Sequence, residues 1–502
     1  MERLKRDAFF KKMSVLGLAL SYGDVRLRTG YSKVAPVDVE LRTKFSRNIT
    51  LNCPIVSSPM DTVTEWEMAI EMAKWGGLGI LHRALLPIEQ ARQVARVKYY
   101  LNGLIKKPIQ FRETDTMESI VRTIEEKGYQ FQTFPVINAF GKIAGLLTSN
   151  DFEFCSNMLA TASEVMSKDL LSIPDYLPLE KVFEIMRKNK KKVLPVVDPD
   201  GQLKGMYVFS DIKRAVTGSS ANFNLDANGN LLVGAAVGVG EEDFERAELC
   251  VQKGVDVIVI DTAHGDSEPV YRMLKTLKKQ FPDLDVVVGN VSEGESAKRL
   301  VKAGADGVKV GQGPGSICTT RVIAGIGHPQ VSAVHECEVA IRGSDVPICA
   351  DGGMKYSGDI TIAIGAGASS VMLGNLLAGT KESPGDVIIR DGMPMKSYRG
   401  MGSLSAMEQS ESSRERYRQP ECSRGKLVPE GVEGEVPFKG EVAEILYQLL
   451  GGLRAGMGYV GAANIKELQG KADFIRISGE GLKESHPHGV YMTKDPPNYR
   501  RG

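Results

Sequence analysis

The sequence predicts an α/β fold in which eight parallel strands with helical crossovers close into a (β/α)8, or TIM, barrel that is interrupted by an inserted, duplicated module. Three observations predict it. First, eight short apolar runs recur: Pro54–Ser58, Gly77–Leu81, Leu231–Ala236, Asp256–Ile260, Asp285–Gly289, Asp306–Val310, Val346–Ala350 and Ser369–Leu373. They do not alternate polar with apolar and are rich in β-branched residues, as suits parallel strands buried on both faces. Second, amphipathic helical patterns lie between them, such as Glu242–Lys253, Glu268–Gln280 and Glu293–Ala303. Third, about 150 residues separate the second run from the third, far more than one crossover needs. On the runs alone, an open doubly wound sheet is the alternative.

The chain of 502 residues is long enough for more than one domain. Its 42% hydrophobic and 25% charged content is ordinary for a globular protein. The 63 basic and 62 acidic side chains nearly cancel, which gives no support to a nucleic-acid or polyanion binder. Seven cysteines run from Cys53 to Cys422 without a CxxC pair or zinc spacing, and their odd number reads as reduced thiols. At the N-terminus, basic Met1–Lys12 precedes mildly apolar Met13–Tyr22, but this stretch is short and lacks a clean small-x-small cleavage site. No run approaches the ~20 apolar residues of a membrane span. A cytoplasmic protein without a membrane segment is expected.

Three parts of the chain follow. Residues 1–100 carry the first two strands, 101–217 the insertion, and 218–502 the remaining six strands. The insertion contains a repeat. Phe134–Asp151 (FPVINAFGKIAGLLTSND) and Leu194–Asp211 (LPVVDPDGQLKGMYVFSD) match at an offset of 60 residues, with Pro, Val, two Gly and the final Asp in common. Helical segments Met117–Lys127 and Leu177–Lys188 match upstream at the same offset. Each copy, about 105–160 and 164–217, therefore reads as helix, strand, Gly turn, strand, helix. A duplicated unit buries a shared core between its copies. The pattern resembles a tandem pair of cystathionine-β-synthase (CBS) domains, a Bateman module. The resemblance implies a site for adenine or guanine nucleotides, ATP or GTP, at Thr148-Ser149-Asn150-Asp151. The second copy keeps Asp211 but has Val208 where the Thr stands.

The strongest local signal is Gly311–Arg321, GQGPGSICTTR, directly after the sixth run. Barrel enzymes place active sites at the carboxyl ends of their strands. Three Gly and a Pro within five residues expose backbone groups, and a Cys on such a loop can be presented as a nucleophile. A Gly turn with a buried Cys is the alternative. Beyond the eighth run, Tyr398–Met407 (YRGMGSLSAM) leads into polar Glu408–Arg424, which reads as a mobile surface loop. The chain resumes as Lys426–Gly440, KLVPEGVEGEVPFKG, and a helical Glu441–Gly451.

With Val56–Glu65 (VSSPMDTVTE), Ile260–Ser267 (IDTAHGDS) and Asp351–Ile360 (DGGMKYSGDI), these motifs resemble the inosine-monophosphate dehydrogenases and guanosine-monophosphate reductases over nearly the whole chain. The resemblance implies that Cys318 attacks C2 of a bound purine nucleotide, IMP, while a hydride leaves for NAD. Thr320 and Glu430 are implied in proton transfer during hydrolysis. Strand-end loops cradle phosphate in barrels, here Gly352-Gly353 and Gly374-Asn375, and Asn375 stands where the family commonly has Ser. Asp351 is implied for the ribose hydroxyls, Ser316 and Tyr398 for phosphate, and Arg399, Gly400, Met401, Gly402 and Glu430 around the nucleotide. Asp261, Asn290, Gly311, Gln312 and Gly313 are implied on the NAD side, with Asp266 where His is frequent.

Within the segment of about 398–430, Arg416-Tyr417 matches a dyad that the dehydrogenases carry on a flap. It enters the vacated NAD site and activates water, and the reductases lack it. Arg418 follows where Phe is typical. A monovalent cation, K+, is implied on carbonyls of Gly313, Gly315 and Cys318, with Glu484, Ser485 and His486 supplied by a neighbouring subunit. That implies a homotetramer, with an octamer as a further assembly. A reductase, or a nucleotide-sensing regulator with an inactive barrel, are the competing readings. The intact Cys318, Thr320, Asp351 and Glu430 weigh against the regulator.

Overall fold

A computed structural model of the protein describes residues 3–101, 103–105, 108–127, 133–217, 222–417, 419, 424–494 and 496–499. Arg418 and Cys422 lie outside them.

Eight strands pair in parallel and close on one another. In chain order they are β1 (Ile55–Ser57), β2 (Leu78–Leu81), β3 (Gly234–Val237), β4 (Val257–Asp261), β5 (Asp285–Val291), β6 (Gly307–Val310), β7 (Ile348–Asp351) and β8 (Ser370–Leu373). Each follows a predicted run to within three residues at either end. Closure is set by Met372 of β8 lying opposite Val56 of β1 and by Gly234 of β3 opposite Ile80 of β2. The open-sheet alternative is thereby excluded.

Nearly every strand residue is buried because side chains alternate between the barrel interior and the helical ring. The interior cluster joins Val56, Ile80, Ala236, Val257, Val259, Val287, Cys349 and Met372. Phe45 and Leu51, from the short hairpin before β1, pack into the same cluster. Each large side chain so buried contributes about 1.5–3 kcal/mol relative to exposure. The crossover helices include Glu241–Gln252, Glu268–Gln280, Gly294–Lys302, Gln330–Ile341 and Ser357–Ala366. The first begins with Glu241, Glu242 and Asp243, which complement the positive end of the helix dipole. The basic N-terminal segment forms the helix Arg3–Val15, whose Arg6 is fully buried and bonds Glu338 at 2.7 Å.

The chain divides into two compact units, Met1–Lys98 with Ala221–Gly502, and Tyr99–Ser220. The second unit has two apolar cores of its own. One gathers the helix Met117–Lys127 and the antiparallel strands Phe134–Ile137 and Ile143–Leu147. The other gathers the helix Leu179–Lys188 and the strands Val193–Val197 and Leu203–Val208. A short helix follows each pair, Ser149–Glu153 and Phe209–Thr217. Leu104–Ile105 pairs with the second copy's Leu203–Val208 instead of joining the first copy next to it in sequence.

Candidate active site

The loop after β6 is held by its neighbours rather than by helix or strand of its own. Cys318 bridges to Gly431 in antiparallel fashion, the Thr319 N–H donates to the Glu430 carbonyl at 3.0 Å, and the Val432 N–H donates to the Ile317 carbonyl at 2.9 Å. The Glu430 N–H in turn donates to the Gly402 carbonyl at 3.0 Å. Three distant segments, 315–319, 400–402 and 430–432, are thus stitched together around the cysteine. Cys318 Sγ lies 3.2 Å from Thr320 Oγ1. Among the described residues, Cys53, Cys250, Cys337 and Cys349 are buried and free, and burial pushes the thiols of Cys53, Cys250 and Cys349 up to about 12. Cys318 is instead half-buried and lines a cavity of about 130 Å³ at the carboxyl ends of the strands.

That cavity brings together Asp261, Asn290, Gly311, Gln312, Gly313, Gly315, Cys318, Thr320, Asp351, Gly352, Tyr398, Gly400, Met401, Arg416, Tyr417 and Glu430. Ser316 stands beside it, hydrogen-bonded to Tyr398, whose phenol burial pushes up to about 12. Gly353 lies against Pro314, and Gly374 against the Tyr398 hydroxyl. Asn375 opens the four-residue helix Asn375–Ala378, its carbonyl accepting from Lys439 Nζ at 2.6 Å. Arg399 turns its guanidinium to Asp61, 2.5 Å from Oδ2, and to Gln409. Glu484, Ser485 and His486 do not line the cavity; His486 Nδ1 faces the Tyr499 hydroxyl at 3.0 Å.

One residue that sequence reasoning missed is Lys309 on β6. It is 1% exposed, and its ammonium lies 2.8 Å from Asp261 Oδ1 and 2.6 Å from Asp351 Oδ2, with Asn290 Oδ1 as a third partner. Asn290 Nδ2 also donates to the Gly311 carbonyl at 2.6 Å and to Asp351 at 2.9 Å. Lys309 therefore ties β4, β5 and β7 into one polar network below the cysteine loop. A lysine in a run as apolar as DGVKV is the signal that was available, because a buried ammonium needs anionic partners. Ser58, Pro59 and Met60 also line the cavity, from the quoted VSSPMDTVTE segment. Gln330 was missed as well; its amide donates to the Val310 carbonyl at 2.8 Å and holds the end of β6.

Within the polar stretch Glu408–Arg424, expected as a mobile surface loop, the described residues include the end of the helix Leu404–Gln409 and the helix Glu411–Arg416, while 418 and 420–423 lie outside the described residues. The charges of these helices have partners. Arg414 donates to the Met407 carbonyl at 2.7 Å, Glu415 pairs with Arg83, and Arg416 pairs with Asp261. Burial pushes the Arg416 guanidinium below the ordinary arginine range, while Tyr417 beside it pulls the other way. Its Nε is buried without a partner among the described residues. Burial likewise raises the Tyr417 phenol, against the pull of Arg416. A Cβ on Gly402 would come 2.4 Å from the Tyr417 ring, so only glycine leaves room for that ring.

Asp266, where the family often has His, is bound up with its own surroundings. It accepts from Tyr271 and Ser296 at 2.5 and 2.7 Å and pairs with Arg299, whose guanidinium holds its carboxyl well below the usual range.

The model of the IMP dehydrogenase / GMP reductase domain matches residues 19–488. An inosine-5′-monophosphate dehydrogenase from Aquifex aeolicus is 48% identical over 483 residues, covering 96% of this chain and 97% of its own length. One from Bacillus subtilis is 45% identical over 483 residues, again 96% and 97%. Among solved structures, a cysteine-to-alanine variant of GMP reductase from Trypanosoma brucei, in complex with guanosine 5′-monophosphate, superposes with a TM-score of 0.83 at 41% identity, covering 94% of this chain and 98% of that one. The chain belongs to the IMP dehydrogenase / GMP reductase family.

Proposed function

We propose that this protein is an IMP dehydrogenase, oxidising inosine 5′-monophosphate to xanthosine 5′-monophosphate in guanine nucleotide biosynthesis. The observation that carries it is the Arg416-Tyr417 pair lodged in the barrel mouth with Cys318, Thr320 and Glu430. A reductive deaminase has no hydrolysis of a cysteine adduct for such a pair to serve.

The purine lies with C2 at Cys318, its ribose hydroxyls on Asp351, and its phosphate among Ser316, Tyr398, Gly352-Gly353 and Gly374-Asn375, with the 400–402 backbone alongside. Asp351 is suited to the ribose because Lys309 holds one of its oxygens at 2.6 Å and fixes its orientation. The Cys318 thiolate forms a bond to C2, and addition converts an aromatic C–H into a hydride donor. NAD, when bound, accepts that hydride. The donor set fits the nicotinamide end: Asp261 and Gly311–Gln312–Gly313 offer carboxylate, amide and backbone groups at one side of the cysteine. Arg416 occupies Asp261, the carboxylate assigned to the nicotinamide end, so dinucleotide and flap compete for the same group.

A thioimidate then remains on Cys318. Water adds to C2, the C–S bond breaks, and the thiolate is released with xanthosine 5′-monophosphate. The proton of that water passes to the Arg416-Tyr417 pair in its deprotonated form, which burial favours by pushing the Arg416 guanidinium below the ordinary arginine range. Thr320, 3.2 Å from the sulfur, and Glu430 line the same cavity as a second route for the proton. The backbone oxygens of Gly313, Gly315 and Cys318 are the hard donors a monovalent cation such as K+ needs. Glu484, Ser485 and His486 of a second copy would complete that cage in a tetramer.

In the inserted unit, Asp151 Oδ2 accepts from the Thr148 N–H at 2.6 Å and from the Thr148 hydroxyl at 2.9 Å, closing the start of the helix Ser149–Glu153. We assign that unit as a CBS pair over residues 101–217 that senses ATP or GTP and adjusts activity or assembly. Among the described residues no helix is long and apolar enough to cross a membrane; a cytoplasmic location is part of the proposal.

The fold match to a GMP reductase favours one second reading, reductive deamination of GMP on the same cysteine. Intact-protein and peptide mass spectrometry during turnover decides. A nucleotide adduct on the Cys318 peptide, formed with IMP only when NAD is added, supports the dehydrogenase. An adduct formed with GMP and lost on adding NADPH supports the reductase.

A further inference from the structure

The flap helix Glu411–Arg416 reaches the barrel mouth through one residue that the reaction does not touch, Glu415. Its carboxylate lies 3.2 Å from the guanidinium of Arg83, which follows β2 and is 6% exposed. Arg83 also pairs with Asp243 at 3.3 Å, and Asp243 is shared with a second buried arginine, Arg246, at 3.6 Å. The buried cluster therefore holds two guanidinium groups against one fully buried carboxylate. Glu242 approaches Arg246 only at 3.8 Å and stays largely in water. Glu415 supplies the missing negative charge when the helix docks, and among the described residues of the flap no other carboxylate pairs with Arg83. The space is kept clear for this contact. A Cβ on Gly238 would fall 2.3 Å from Asp243 and 2.4 Å from Arg83, and Gly240 faces Glu415.

We propose that Arg83, Asp243 and Glu415 form an electrostatic latch that sets how much of the time the flap is closed, and that Glu415 is a positioning residue for Arg416 and Tyr417. A buried, undercompensated arginine binds a carboxylate far more strongly than an exposed pair does. Glu415 directly precedes Arg416 in the chain, so anchoring one aims the other at Asp261. Loss of the latch leaves the cysteine chemistry intact and weakens only the closed state. The kinetic part of this inference rests on the dehydrogenase reading; the structural part does not.

The test is hydrogen–deuterium exchange of the whole, ligand-free protein, comparing wild type with Glu415→Gln. The expected result is exchange about 10-fold faster over residues 404–417, with peptides of β1–β8 unchanged. Glu415→Asp keeps the charge and restores most of the protection. Equal protection of 404–417 in wild type and Glu415→Gln overturns the latch, whatever the protein catalyses. Rapid mixing with IMP and NAD then separates the steps. In Glu415→Gln the first-turnover NADH is expected at the wild-type rate, steady-state turnover about 5-fold lower, and inhibition by excess NAD stronger. A wild type that makes no NADH would remove the dehydrogenase reading and leave the exchange result to decide the latch alone.

Discussion

Arg416 of the flap forms an ion pair with Asp261 at the end of β4, and the same carboxylate is held from below by the ammonium of Lys309 at 2.8 Å. One anionic group thus serves two cations, one in the barrel wall and one on the helix Glu411–Arg416. In the proposed mechanism, Lys309 keeps Asp261 oriented when Arg416 withdraws.

The burial of Lys309 between Asp261 and Asp351 predicts a large structural cost for removing its charge. Lys309→Met leaves two carboxylates buried without their ammonium, and is expected to destabilise the fold by about 3 kcal/mol. Urea unfolding followed by circular dichroism reads this as a lower midpoint. A midpoint equal to wild type would show that the carboxylates do not depend on Lys309.

Cys318→Ala removes the nucleophile and little that the fold leans on, since among the described residues the sulfur's hydrogen-bond partner is Thr320. Turnover is expected to fall by about 10³-fold or more while IMP still binds by calorimetry. Full activity in this variant would end the covalent mechanism.

Gly402→Ala places a methyl 2.4 Å from the Tyr417 ring, so the flap cannot seat as it does here. In the proposed mechanism hydride transfer does not use that contact, whereas hydrolysis does. The variant is expected to keep its first-turnover burst of NADH and to lose about 10-fold in steady-state rate. A steady-state rate matching wild type would mean that Tyr417 acts from some other position.

His335 is buried against Phe10 of the N-terminal helix, their rings 4.0 Å apart, and burial pushes its pKa down to about 4 although Asp7 beside it pulls the other way. The unfolded chain binds the proton more readily than the folded one. Stability from this residue is therefore complete above pH 6.5 and is lost as pH falls toward 4, by up to about 2 kcal/mol at pH 5. Thermal melts at pH 7 and pH 5 should show a smaller drop for His335→Gln than for wild type. Equal drops would place the acid sensitivity elsewhere.

The barrel was legible in the sequence because parallel strands buried on both faces leave continuous apolar runs, and each of the eight runs appears as a strand. The cysteine loop was legible from its glycines and its place after β6. The flap was not. Its composition resembles a solvated loop because the partners of Arg414, Glu415 and Arg416 come from Met407, Arg83 and Asp261, two of them more than 150 residues away in the chain. Lys309 escaped for a related reason: a single charge in a strand reads as an exception until β4 and β7 bring their carboxylates to it. Arg399 was expected among the groups around the nucleotide through the YRGMGS motif, but its side chain is committed to Asp61, which pattern alone does not reveal.

Absorbance at 340 nm, with purified protein, IMP, NAD and potassium, tests the central claim most directly. The account predicts NADH formation matched by xanthosine 5′-monophosphate. No NADH under those conditions, together with consumption of NADPH in the presence of GMP, would contradict it and identify a reductase.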